Sequence, residues 1–521
     1  MRLNQLSSLL LLFVTLVFYK ANAQTDNRIQ QVILEKQPTA DHGNGYYLNP
    51  IIPGNYGDPS FVRIKDDYYL AFSRGDGFII WHSRDMVNWE PICRHTLPKG
   101  FNRVWAVDLQ YFDDRFHLYM PVQNYPGKEI RGFGNFVVSA ENVEGPWSEP
   151  IDIEIPVPDD EAWSGIDPGF IQTPEGEKYL YVNHGYVVKL NDEGNKAVSS
   201  PELVYDGWQY PEDWNVECMC LESPKLFLKD KFYYLVSAEG GTSGPSTAHM
   251  TVVARSESPT GPWVNSPYNP LVHTYRQDEK WWHQGHGTIF EATDGSWWTV
   301  YHGRLNGYTE LGRSCLLLPV EWTDDGWPMV KNSLNAADLL PLPKGENVGH
   351  GLALSDDFNS EIPGIQWSIG HDVADHLQFG NGKLIMNATG NSLREGTSIT
   401  VGAVNASFEV TVEVDVNDEN TLAGIALGYD GIQTDGSQST FSEAPEWRKR
   451  NAEIPVKNDG RVFMKIKNFR KDLSFYVSDD GKNWQSFGKG LRLHDSYNIR
   501  LFVLGNGTAV FQNFTYQGLE D

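Results

Sequence analysis

Between residues 61 and 303 one pattern of apolar and polar positions returns five times. Each copy is an apolar strand, a polar turn and an aromatic-rich strand. The copies read FVRIKDDYYLAFS (61–73), LQYFDDRFHLYMPV (109–122), GFIQTPEGEKYLYV (169–182), KLFLKDKFYYLVS (225–237) and TIFEATDGSWWTVYHG (288–303). Turn-forming pairs between β-favouring runs (Asp66-Asp67, Asp113-Asp114, Glu175-Gly176, Asp230-Lys231, Asp294-Gly295) mark hairpins. The copies begin about 50 to 60 residues apart, the length of a four-stranded propeller blade with its connections. Second hairpins at 79–92, 136–147 and 252–263 fill the gaps, and no long helical periodicity interrupts them. Five matched copies predict a five-bladed β-propeller over 40–333 rather than an open sandwich of many hairpins.

After Pro328 the pattern changes. Residues 334–351 carry Pro and Gly punctuation and read as a connector. Period-two strands follow, including SFEVTVEVDV (407–416), RVFMKIKNF (461–469), LSFYVSDDGKNWQSF (473–487) and AVFQNFTYQ (509–517), which predict a β-sandwich over 352–521. Asp479-x-Gly481-x-x-Trp484 within it reads as an ordinary hairpin turn. The expected fold class is all-β, a propeller followed by a sandwich. At the other end, Arg2, the apolar run Leu9 to Phe18 and the small-x-small Ala21-Asn22-Ala23 form a signal peptide over 1–23. The chain is therefore expected to be exported, to a periplasm or outside the cell.

Charge narrows the partners. The 521 residues carry 42 basic and 68 acidic side chains, a net charge of −26, which repels nucleic acid and anionic membrane but not a neutral sugar. No internal stretch approaches the roughly 20 apolar residues that span a bilayer. Four Cys in a chain this long do not make a disulfide framework. Cys218 and Cys220 sit two apart in an apparently extended segment, a poor geometry for bridging each other. Together with Cys93 and Cys315 they are expected as buried thiols.

Candidate chemistry emerges on counting back from the hairpin turns. Asp58 lies eight residues before Asp66, Asp167 eight before Glu175, Glu222 eight before Asp230 and His286 eight before Asp294. In the second copy that position is Ala106, and Asp108 lies two further along, on the same strand face. The first strand of each blade lines a propeller's channel, so the register predicts Asp58, Asp108, Asp167, Glu222 and His286 around one rim, all directed inward. Like charges sharing a site raise at least one pKa. Separated carboxylates of differing pKa are what glycosidic hydrolysis requires, one protonated for the leaving oxygen and one ionised for water.

These residues also carry a family resemblance. GDPS with FVRIKDDYYLAFS, HSRDMVNWE, WAVDLQYFDDRFHLY, IDPGF, ESPKLF and GHGTIFEATDGSWW resemble glycoside hydrolase family 43, in order and with its spacing over residues 48–330. The resemblance implies a five-bladed propeller that hydrolyses with inversion. It implies Asp58 as general base, Glu222 as general acid, and Asp167 as the group that raises the acid's pKa and orients it. His286 matches a histidine at the channel centre, beside a bound calcium or a water cluster; the alternative is a channel histidine without metal. No organic cofactor is implied. Arg304 matches an arginine that approaches the cleaved sugar, or else serves a structural ion pair. Trp105 is a stacking platform for sugar carbons or part of the core, and Asp108 is grouped with the substrate-binding residues. Residues 356–521 resemble the concanavalin-like sandwich that follows the catalytic domain in some relatives.

The expected activity is an exported exo-glycosidase that removes terminal pentose units, as an α-L-arabinofuranosidase or β-xylosidase, from plant cell-wall polysaccharides or oligosaccharides. An exo-β-galactosidase of the same family is the enzymatic alternative. A noncatalytic carbohydrate-binding propeller is the alternative of another class, and retention of all three acid positions argues against it.

Overall fold

Alternation of apolar and polar side chains builds two bodies of sheet in the computed structural model, which describes residues 30–128, 132–160, 163–418, 420–442, 453–457, 460–489 and 497–520. The expected signal peptide, 1–23, lies outside them. Five antiparallel sheets of four or five strands follow one another along the chain, each built from neighbouring stretches of sequence. Their first strands are Ser60–Ile64, Asp108–Phe112, Gly169–Gln172, Glu222–Lys229 and Trp281–Glu291. We number these blades I to V. The five hairpins expected from the sequence are the first two strands of each, with blade I turning at Lys65 and Asp66. Among the described residues no helix is long and apolar enough to cross a membrane.

Blade II departs from the common plan. Asn102–Val104 pairs with the far half of Arg115–Asn124, and Asp108–Phe112 pairs with its near half. The inner strand is thus broken at Trp105–Val107, which leaves Trp105 exposed while Ala106 and Val107 are buried.

Among the described residues no blade takes a strand from the other end of the propeller, though the short flanking strands Tyr46–Tyr47 and Leu340–Pro341 pair with each other. The ring closes through hydrogen bonds from the segment before blade I to the third strand of blade V. Tyr47 Oη and Asn49 Nδ2 donate to Leu317 O, Leu317 N donates to Asn49 Oδ1, and Ile51 N donates to Cys315 O.

The sandwich is two seven-stranded antiparallel sheets. Phe408–Val416 shows why it folds: Phe408, Val410, Val412, Val414 and Val416 are buried, and Glu409, Thr411 and Asp415 alternate with them at the margin. Each such buried side chain contributes about 1.5–3 kcal/mol. One apolar cluster runs from Tyr47, Ile51 and Leu316 of the propeller through Leu352 and Leu354 to Phe408 and Val412 of the sandwich, so the two bodies share a core.

Candidate active site

Equal offsets along the repeats become equal backbone twists. Asp58, Asp167 and His286 adopt left-handed φ values of 58°, 57° and 52°. Such conformations cost non-glycine residues on the order of 1–3 kcal/mol and persist where the surroundings over-determine them. In blade IV the left-handed residue is Ser223, with φ 56°, directly after Glu222. Two glycines make room. A Cβ on Gly169 would meet Pro224 O at 1.6 Å, so the strand after Asp167 packs directly against the strand of Glu222. A Cβ on Gly57 would meet Arg313 Nε at 2.5 Å, so the arginine in this position packs directly over the glycine beside Asp58.

The structure brings Asp58, Asp167, Glu222 and His286 together. His286 Nδ1 lies 3.1 Å from Asp58 Oδ1, 3.6 Å from Glu222 Oε1 and 4.0 Å from Asp167 Oδ2. Ser223 N donates to Asp167 Oδ2 at 3.3 Å, which ties Asp167 to the peptide beside Glu222. On the other side Arg313 Nη1 donates to Asp58 Oδ1 at 2.6 Å. The Asp58 amide donates to His302 Nδ1 at 3.1 Å. Accepting that bond requires a neutral ring, and burial holds the His302 pKa well below the ordinary value. His249 stacks against His302 with centroids 5.1 Å apart, and burial lowers its pKa to about 3.

These surroundings divide the carboxyls. Burial, the largest single influence, would raise Asp58, but Arg313, His286 and His302 together outweigh it and hold the carboxyl well below the usual range. Glu222 is pushed up to about 8 by burial and then by the charge of Asp58. Asp167 is pushed up to about 7 by burial and then by Glu222. Near neutrality the site holds one ionised acid beside arginine and a coupled pair that retains protons. The resemblance implied that Asp167 raises the acid; burial and Asp58 come first.

The other expected residues lie around this group. Asp108 does not line the substrate rim. It begins its strand as Ser60 and Gly169 begin theirs, one step below the acids, and it is 1% exposed. Ser60 Oγ, Lys225 Nζ, Gln110 Nε2 and Phe170 N all donate to it. Arg304 forms no ion pair with the acids among the described residues, though it feels the charge of Asp58; its Nη1 donates to Thr309 O at 3.1 Å and props the loop that carries Arg313. The arginine at the site is Arg313, which the repeat count misses because it lies on the third strand's approach. Trp105 is 47% exposed, packs at 4.8 Å against Phe133 and makes no contact with the acids among the described residues. Cys218 and Cys220 are not thiols but a disulfide. The segment is irregular rather than extended, Cys220 has φ 43°, and their Cα atoms approach to 5.3 Å. Cys93 and Cys315 are buried thiols.

The loop bearing Arg313 is gripped from the sandwich. Lys471 Nζ donates to Glu310 Oε1 at 2.8 Å, and Tyr497 N donates to Glu310 O at 3.0 Å.

The residues around His286 do not fit calcium, which takes about six to eight oxygens. Among the described residues, Asp58, His286 and His302 converge, as do Asp167, Glu222 and His286. The first set is rich in nitrogen, and its one carboxylate is already paired with Arg313. The second offers two carboxylates and the same histidine, again short of the oxygen set that calcium takes.

A model of the family described as Glycosyl hydrolases family 43 matches residues 47–328. The chain is 31% identical over 418 residues to a non-reducing end α-L-arabinofuranosidase of Bacteroides ovatus, covering 74% of each chain. It is 33% identical over 325 residues to a xylan 1,3-β-xylosidase of a Vibrio species, covering 54% of this chain and 57% of that one. The crystal structure of a xylan β-1,4-xylosidase from Bacillus halodurans superposes with a TM-score of 0.76 at 24% identity, over 90% of this chain and 99% of the other. That last likeness is one of fold and extends through the sandwich.

Proposed function

Because the chain belongs to glycosyl hydrolases family 43 and is a glycoside hydrolase, we propose that it removes terminal α-L-arabinofuranosyl or β-xylosyl units from plant cell-wall glycans by single displacement with inversion. The observation that carries this reading is the convergence of Asp58 and Glu222 on His286 Nδ1, at 3.1 and 3.6 Å, in surroundings that lower the pKa of the first carboxyl and raise that of the second. Asp58, ionised, takes a proton from a water as that water attacks the anomeric carbon. Glu222, protonated, gives its proton to the departing glycosidic oxygen as the bond breaks. Asp167 fixes the backbone beside the acid through Ser223 N. His286 stands between base and acid, and Arg313 keeps the base ionised. Trp105 offers an exposed ring for the sugar beyond the cleaved unit.

Export is part of the proposal. It is supported by the segment 1–23 and by the Cys218–Cys220 disulfide, a bond that oxidising compartments maintain.

The test is a panel of aryl α-L-arabinofuranoside, β-xyloside and β-galactoside, with the product anomer followed by early-time NMR. Hydrolysis of either pentoside with inversion is expected. Binding without turnover, retained configuration, or preference for the galactoside overturns the reading. Arabinofuranoside is the first substrate, because the relative named for it shares three quarters of its length.

A further inference from the structure

Beneath the acids the propeller axis already holds a cation. Lys225 follows Glu222 by three residues on the same strand and is 6% exposed. Its Nζ lies 2.7 Å from Asp108 Oδ1, 3.1 Å from Pro168 O and 3.3 Å from Val107 O. An ammonium has three protons, and each finds one oxygen. Asp108 is equally committed, taking donors from Ser60, Gln110, Phe170 and Lys225. A buried charge is tolerated when it is paired and fully hydrogen-bonded, and both members meet that condition.

The three oxygens belong to blades II and III, while Lys225 belongs to blade IV. Pro168 directly follows Asp167. The ammonium therefore joins the backbone behind Asp167 to the strand of Glu222, with Asp108 and Val107 as the third anchor. On the opposite face of the propeller a cavity of about 280 Å³ reaches the same group, lined by Asp108, Gln110, Lys225, Phe61 and Phe290.

We propose that Lys225 is the resident cation of the channel, holding three blades together beneath the acids, and that the enzyme requires no divalent ion there. A calcium ion would have to displace an ammonium whose protons are all placed, and would gain one carboxylate and two carbonyls. Lys225 is thus a positioning residue for Asp167 and Glu222. The inference deepens the reading of this site as a hydrolase, but its principal readouts are metal content and melting temperature. These do not depend on which sugar is cleaved, so failure of the glycoside panel and failure of this inference are separate results.

The experiment uses the full chain, chelated with EDTA and desalted, and compared with untreated protein and with added CaCl₂. Elemental analysis should find well under one equivalent of divalent metal in the untreated protein. Tm should be unchanged, and kcat/KM should change by less than about twofold under either treatment. In Lys225→Ala the three oxygens face space that an ammonium filled. That variant should lose on the order of tenfold or more in kcat/KM and melt several degrees lower. Methylammonium or Ca²⁺ should raise its Tm while leaving the parent unmoved, a response that a merely space-filling lysine would not produce. The inference is overturned by about one equivalent of tightly held metal whose removal lowers Tm reversibly. It is equally overturned by a Lys225→Ala variant with native Tm and no response to cations. If Lys225→Ala does not fold, the metal content and chelation response of the parent decide alone.

Discussion

Arg313 Nη1 donates to Asp58 Oδ1 across 2.6 Å, joining the last blade of the propeller to the first. The contact is the largest of the influences that lower the pKa of the proposed base against burial, ahead of His286 and His302.

Arg313→Met should therefore raise the Asp58 pKa. The base works only when ionised, so the acid limb of the kcat/KM profile should move to higher pH. Activity at neutral pH should also fall, on the order of 10²-fold. A profile reduced in height with its acid limb unmoved would place the role of Arg313 in substrate binding instead.

Glu222→Gln removes the proton donor but keeps its shape. Loss should be on the order of 10²–10⁴ on a natural oligosaccharide and far smaller on a dinitrophenyl glycoside, whose leaving group needs no proton. Asp58→Asn should abolish turnover of both, because water activation is needed whatever the leaving group. Equal damage to both substrates by Glu222→Gln, or near-native turnover by Asp58→Asn, would refute the assignment of acid and base.

Asp167 and Glu222 titrate as a pair, at about 7 and about 8. The alkaline limb should lie near the upper value, where the last shared proton leaves against the remaining charge. Asp167→Asn keeps an acceptor for Ser223 N but removes that charge. Losing the second proton then becomes easier, so the alkaline limb should shift to lower pH. A pH titration of kcat/KM for the variant reads this directly, and an upward shift would contradict the coupling.

Lys471→Ala cuts the sandwich's hold on Glu310, and with it one constraint on the Arg313 loop. The pair is partly exposed, so stability should change by no more than about 1 kcal/mol. The loss in kcat/KM should exceed what that change in stability explains. The check is a double-mutant cycle with Arg313→Met: if the clamp works through Arg313, Lys471→Ala should cost little more on that background.

The repeat register made much of this legible. Hairpins announce themselves by local alternation and turn residues, and a constant offset carried Asp58, Asp167, Glu222 and His286 to one place. The same count put Ala106 at the matching position in blade II, and the step from there to Asp108 as a rim residue failed: Asp108 sits deeper, among buried donors. Arg313 lies 255 residues from the carboxyl it serves, and no local pattern distinguishes it from Arg304 nine residues earlier. Lys225 stood in plain view within ESPKLF. Its partners, though, are two carbonyls and a carboxylate from other blades, and carbonyls leave no trace in side-chain pattern. The disulfide escaped because an extended path was assumed through a segment that folds back at Cys220.

The closure of the ring has a consequence in time. Asp58 belongs to the first blade, whereas His286, His302 and Arg313 around it all belong to the last. A chain emerging from the ribosome carries Asp58 long before it carries the residues that surround that carboxyl. A chain that stops before Arg313 holds Asp58 without that partner, so the charge environment of the proposed base is completed only when the last blade has been made.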